Sequence, residues 1–181
     1  MEILAISGTP RKRGNSRILL EAFLKEAPSN AVVSLFDAYS MKVHPCRACD
    51  SCKGGSCVIS DEMQLLYPSL DRADTVIVSH PIYFYGPPAP IKAIYDRCQP
   101  YWHKREGKDK RAVLIVTSAS ASERGFEVSA SIFRAWANTI GAKDFLLLKF
   151  GGLEAEEEVL NRPEMLSEVT EHGQRFFGSQ T

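Results

Sequence analysis

The chain has 181 residues, with 22 Lys plus Arg balanced by 22 Asp plus Glu, 44% apolar and 24% charged residues, and five cysteines. That length fits one domain over residues 1–181 with a real core and excludes a long disordered chain. Zero net charge supplies no field for a nucleic-acid backbone or an anionic membrane surface.

No apolar run approaches the ~20 residues that span a bilayer, and Met1 to Ile6 is too short, and too acidic at Glu2, for a signal peptide. We therefore expect a soluble, cytoplasmic protein without nucleic-acid or membrane partners.

The first β-branched apolar run, Ile3 to Ser7, reads as a strand, and its turn runs Ser7-Gly8-Thr9-Pro10-Arg11-Lys12-Arg13-Gly14-Asn15-Ser16. A helix from Ser16 to Lys25 follows, with Ile18, Leu19, Ala22 and Phe23 on one stripe. Backbone N–H groups and the positive helix end then point at one spot, which suits a phosphate. Thr9, Arg11, Asn15 and Ser16 are the candidate ligands, each charge-assisted hydrogen bond contributing about 1.5–3 kcal/mol. The triphosphate loop needs four residues between its glycines and a following Lys, but Gly8 and Gly14 are separated by five and followed by Asn15-Ser16. The dinucleotide Gly-x-Gly-x-x-Gly is absent as well, which leaves a monophosphate such as that of FMN.

A second strand, Val32 to Phe36, precedes Pro45-Cys46-Arg47-Ala48-Cys49-Asp50-Ser51-Cys52-Lys53-Gly54-Gly55-Ser56-Cys57, a C-x2-C-x2-C-x4-C pattern. In a reducing compartment such thiols serve metal, cluster or redox chemistry rather than structural disulfides. Two-residue spacings wrap one inorganic core, and Gly54-Gly55 permit the tight return for a fourth ligand. A [4Fe-4S] cluster on Cys46, Cys49, Cys52 and Cys57 is the first candidate. Zinc, which usually joins two separated knuckles, and free thiols or a redox disulfide stay open. Cys98 stands apart and reads as a packing residue.

Ser60, Asp61 and Glu62 look like a cap with acids in the first turn of a helix carrying Leu65, Leu66 and Leu70. The third strand, Thr75 to Ser79, opens into a loop rich in proline and aromatics. There Pro81, Ile82, Tyr83, Phe84, Tyr85 and Gly86 offer rigid backbone and flat surfaces for a planar ring. The charged piece His103 to Arg111 reads as a solvated loop before the fourth strand, Val113 to Thr117. Ser118, Ser120 and Ser122 then form a polar rim, from which Ser118 is taken as a further cofactor-binding candidate. A helix from Gly125 to Ile140, with Val128, Ile132, Ala135 and Trp136 on its stripe, precedes the fifth strand, Phe145 to Phe150. Glu154 to Glu158 reads as a solvated helix face, and Pro163 opens a last helix with Met165, Leu166, Val169, Phe176 and Phe177. Strands alternating with helices predict an α/β doubly wound parallel sheet of flavodoxin-like order 2-1-3-4-5, with the cysteine loop, residues 44–58, after strand 2.

The segments Gly8 to Ser16, Pro81 to Gly86 and Pro90-Ile91-Lys92-Ala93-Ile94-Tyr95-Asp96-Arg97 resemble the NADPH-dependent FMN reductase superfamily over roughly residues 2–150. The resemblance implies noncovalent FMN, its phosphate at Thr9, Arg11, Asn15 and Ser16 and its ring against Pro81 to Gly86. Thr9 stands where that family usually carries serine, a change that keeps the hydroxyl. The cysteine spacing resembles the iron-sulfur flavoprotein branch, which implies Cys46, Cys49, Cys52 and Cys57 as cluster ligands. It also implies a homodimer or homotetramer, in which a second subunit can supply the flavin nearest the cluster.

The expected function is an FMN-dependent oxidoreductase passing electrons between NAD(P)H or a carrier such as ferredoxin and an acceptor, with no side chain acting as acid or base. NAD(P)H rests on the resemblance alone, since the chain has no nicotinamide fingerprint. A cluster-free FMN or quinone reductase and a nonenzymatic redox-sensing flavoprotein are the alternatives.

Overall fold

The computed structural model describes residues 1–104 and 108–178. In chain order these form β1 Glu2–Ser7, α1 Asn15–Leu24, β2 Val32–Asp37, a 3-10 turn Ser51–Gly54, α2 Met63–Arg72 and β3 Thr75–Pro81. They continue as α3 Ala89–Asp96, α4 Gln99–Lys104, β4 Lys110–Thr117, α5 Glu123–Thr139, β5 Ala142–Phe150 and α6 Pro163–Gly178. The strands make one five-stranded parallel sheet in the order β2-β1-β3-β4-β5, the flavodoxin-like order predicted.

Strand alternation divides the core in two. Leu4, Ile6, Val76, Val78 and Leu114 face the layer that contains α2, α3 and α5, whereas Ile3, Ala5, Ile77, Val113 and Ile115 face α1 and α6. Sheets covered on both sides need strands apolar on successive residues, and β1, β3 and β4 have them. The edge strand β2 does not follow that rule: Val32, Val33 and Leu35 are exposed.

Several helical details depart from the sequence reading. The buried face of α5 is Phe126, Ala130, Phe133, Trp136 and Ala137, a stripe rotated from the predicted one, with Val128 exposed. In α1 the buried residues include Leu19, Leu20 and Phe23. The helix expected after Ser60 begins at Met63 and has no acid in its first turn, because Asp61 and Glu62 are bonded elsewhere. Asp61 also accepts the Met63 N–H at 3.1 Å from the turn just ahead of the helix, whose cap residue is Glu62.

The charged piece from His103 to Arg111 is not one solvated loop. His103 and Lys104 end α4, Lys110 and Arg111 open β4 with Lys110 buried, and residues 105–107 lie outside the described residues.

Candidate functional site

Adjacent parallel strands end level at their carboxyl edge, so the loops after β1, β3 and β4 converge there. Ser7 pairs with Ser79 and Pro81 with Thr117, the Gly8 N–H donates to the Ser79 carbonyl at 2.7 Å, and the Ile82 N–H donates to the Thr117 carbonyl at 2.8 Å. A methyl group on Gly8 would lie 2.4 Å from Ile91 and 2.9 Å from His80, so only glycine lets the first turn sit this close to α3.

The first turn contains an unmet polar demand. Ser16, at the start of α1, is 1% exposed and its hydroxyl has no partner; the hydroxyls of Ser7 and Ser79 are also buried and unpartnered, and strand parity puts them on the α1 side of the sheet. No side chain caps α1, so helix geometry leaves the N–H groups of Asn15 and Ser16 without helical partners, while those of Arg17 and Ile18 donate to the Gly14 carbonyl. Thr9 is nearly buried, with its Oγ1 accepting the Arg11 N–H at 3.3 Å.

The Arg11 and Asn15 side chains both reach the stretch after β5. The Arg11 guanidinium donates to the Glu154 carbonyl at 2.8 Å, and the Asn15 amide donates to the Ala155 carbonyl at 2.7 Å while accepting the Val159 N–H at 3.0 Å. Both side chains fasten the stretch after β5 across the turn.

That stretch is the acidic segment Glu154 to Glu158, which is not a solvated helix face. Glu156 accepts the Arg13 N–H at 3.0 Å, Glu157 pairs with the Arg13 side chain, and Glu158 accepts the N–H groups of Glu154 and Ala155 at 2.8 and 3.0 Å. Glu156 and Glu158 stay in this loop because they find backbone donors, and Glu157 because it finds a guanidinium.

After β3 the chain folds into a two-residue hairpin, with the Tyr83 and Gly86 backbones exchanging hydrogen bonds of 3.0 Å. Phe84 at φ 48° and Tyr85 at φ 67° occupy the left-handed region that side chains avoid, and Phe84 is fully exposed. Tyr85 lies beneath the Arg124 guanidinium at 5.6 Å and against Gly125, where a methyl group would come within 3.4 Å of its ring. Ser118 lies across the same edge, accepting the Ser120 N–H at 3.2 Å. His80 is wholly buried at the end of β3; burial pushes its imidazole down to about 4, Nδ1 lies 2.9 Å from the Pro81 carbonyl, and Nε2 has no partner.

The cysteine loop lies away from this edge. Cys46, Cys49, Cys52 and Cys57, with Arg97 and His103, line one cavity of about 340 Å³ beside α4. Cys46 and Cys49 are exposed, Cys52 and Cys57 half-buried, and Cys98 is buried with its thiol pushed up to about 12 by burial. Among the described residues, no three His, Cys, Asp or Glu groups are placed to hold a metal ion.

Sequence reasoning missed Arg97 and Asp61. Their ion pair measures 2.6 Å with both side chains essentially excluded from water. The available signal was an arginine three residues after the buried Ile94 and next to buried Cys98, a position where an unpaired charge would be prohibitive.

Among the described residues, no helix is long and apolar enough to cross a membrane. The chain is 30% identical over 140 residues to an iron-sulfur flavoprotein of Archaeoglobus fulgidus, covering 75% of this chain and 64% of that one. It is 34% identical over 125 residues to an iron-sulfur flavoprotein of Methanocaldococcus jannaschii, covering 66% and 63%. The chain thus spans under two thirds of the length of these relatives. In fold it superposes on an NAD(P)H:quinone oxidoreductase of Methanothermobacter marburgensis with a TM-score of 0.75 at 16% identity, covering 97% and 96% of the two chains. The family model for NADPH-dependent FMN reductase matches residues 1–146, and with this match, its sheet order and its converging loops the chain belongs to that family.

Proposed function

We propose that this chain is an FMN-dependent oxidoreductase that also holds a [4Fe-4S] cluster, working as one domain and, by its family likeness, in a homo-oligomer. The observation that carries the FMN assignment is the cluster of buried, unpartnered hydroxyls of Ser7, Ser16 and Ser79 on the α1 side of the sheet, which demands a polar ligand where a phosphate fits. FMN, when bound, supplies interconversion of two-electron and one-electron chemistry, and a cluster supplies one-electron steps.

The chain's own residues bind and orient. Ser16, Thr9 and the first N–H groups of α1 hold the phosphate. Arg11 and Asn15 act one step removed, fixing the acidic stretch that braces the turn. Pro81 to Gly86 offer the ring a rigid backbone wall, with Tyr83 and Tyr85 half exposed beside it. Ser118 completes the polar rim.

At the cysteine loop four closely spaced thiols, the donor type that a [4Fe-4S] cluster takes, line one cavity of about 340 Å³, which supports the cluster reading. The donor, with NAD(P)H and ferredoxin as candidates, and the acceptor belong to the same proposal.

The test is the absorption spectrum of protein purified without oxygen, read with its iron and acid-labile sulfide. Flavin and iron-sulfur bands together are expected. Flavin without iron would remove the cluster, and a colourless protein that refuses added FMN would remove the whole reading. Ser16→Ala is expected to weaken FMN binding about tenfold with iron content unchanged, as loss of one charge-assisted bond implies. Cys49→Ser should do the reverse.

A further inference from the structure

The cysteine loop is long and its own hydrogen bonds are few, yet its two ends meet at one side chain. Arg97 Nη1 donates to the His44 carbonyl at 2.9 Å, at the start of the loop, and Nη2 lies 3.3 Å from the Ile59 carbonyl, just after its end. The same two nitrogens make a bidentate pair with Asp61 at 2.6 and 3.1 Å, and Asp61 in turn accepts the His44 N–H at 2.8 Å. Burial disfavours the charged guanidinium, and its bonds to Asp61 favour it. One nitrogen is left over: Nε–H is buried and without a partner, in a side chain that lines the four-cysteine cavity.

We propose that Arg97, locked by Asp61, is the positioning residue of the cysteine loop: it ties the loop shut at its base and keeps a cationic N–H donor for the sulfur of the core that fills the cavity. The second half rests on the cluster reading given above; the first half does not.

The chemistry follows from the residue type. A guanidinium can bond two carbonyls and a carboxylate at once in a plane, which the three-pronged ammonium of lysine cannot copy. A positive charge and a hydrogen bond beside cluster sulfur stabilise the more negative, reduced form, so their loss lowers the midpoint potential. Arg97 touches no substrate and moves no proton or electron. It acts through the loop.

The experiment uses the full chain with Arg97→Lys and Asp61→Asn, with FMN affinity as the fold control. Amide hydrogen exchange over residues 44–59 of the metal-free protein reads the clasp alone, and iron content with the midpoint potential reads its effect on the cluster. In Arg97→Lys, protection of the Lys53 and Gly55 amides is expected to fall about tenfold, and iron to drop from about four per chain to less than one. FMN affinity should stay within about twofold, the control for an intact first turn. Residual cluster should titrate at a lower potential, a shift that a merely structural residue would not cause. Asp61→Asn should lower protection and iron in the same direction, while loss of its negative charge should raise the potential of residual cluster, and it serves for exchange and iron if Arg97→Lys does not fold.

If wild-type protein carries no iron, the cluster reading fails and exchange alone decides the clasp. Unchanged exchange in both variants overturns the clasp. Unchanged iron and potential in Arg97→Lys overturn the donor role.

Discussion

The first turn and the cysteine loop are both polar segments leaving the carboxyl end of a strand, but they are held in different ways. The first turn is braced from three sides: the Ser79 carbonyl takes its Gly8 N–H, α3 abuts it, and the acidic stretch after β5 is fastened to Arg11, Arg13 and Asn15. The cysteine loop is an excursion from the edge strand β2, tied at its base by a buried ion pair. Distributed bracing tolerates the loss of a single bond, whereas a clasp concentrates the cost in two residues.

The largest test of that contrast is Arg97→Met. It strands Asp61 as a buried carboxylate without its cation, which costs about 3–5 kcal/mol in a urea unfolding curve. Asn15→Ala in the braced turn should cost about 1–3 kcal/mol by the same measurement, since Val159 and Ala155 lose one bond each. A cost for Asn15→Ala equal to that of Arg97→Met would break the comparison.

His80 sharpens it through pH. Its folded pKa, about 4, lies below the ordinary histidine value of 6.5, so the unfolded chain binds the proton first. Stability is therefore full above the higher value and declines as pH falls from about 6.5 to about 4, by roughly 3 kcal/mol in all. His80→Gln, which does not titrate, should flatten that part of the stability profile.

Thiol labelling of metal-free protein gives a graded test of the loop's exposure. Cys46 and Cys49 should react before Cys52 and Cys57, and Cys98 only on unfolding. The smallest effect expected is a gain. Phe84 holds left-handed backbone and buries nothing, so Phe84→Gly should stabilise the protein by about 1 kcal/mol in thermal unfolding. If that variant also weakens FMN binding, the strain serves the ring site.

The strand runs and the first turn were legible because they are local. Ile3 to Ser7 and Thr75 to Ser79 announce doubly buried strands by apolar residues in succession, and Gly8 to Ser16 places turn formers directly before a helix. The roles of Arg11, Asn15 and the Glu154 to Glu158 stretch were not legible, since their bonds join residues 140 or more positions apart. The helix stripe of α5 was misread by part of a turn because Val128 and Ile132 are apolar yet lie toward its rim, and only packing against β4 and β5 selects the buried face.

The sequence by itself determined the order of strands and helices, the position of a phosphate-sized turn and the presence of four closely spaced thiols. Hydrophobic periodicity and residue spacing are properties of the chain alone. Only the tertiary structure decided that Arg97 and Asp61 pair at the base of the cysteine loop and that Arg11 and Asn15 bond the stretch after β5. A side chain's hydrogen-bond partners depend on what the fold brings within about 3 Å of it, and burial then makes each of those partners obligatory.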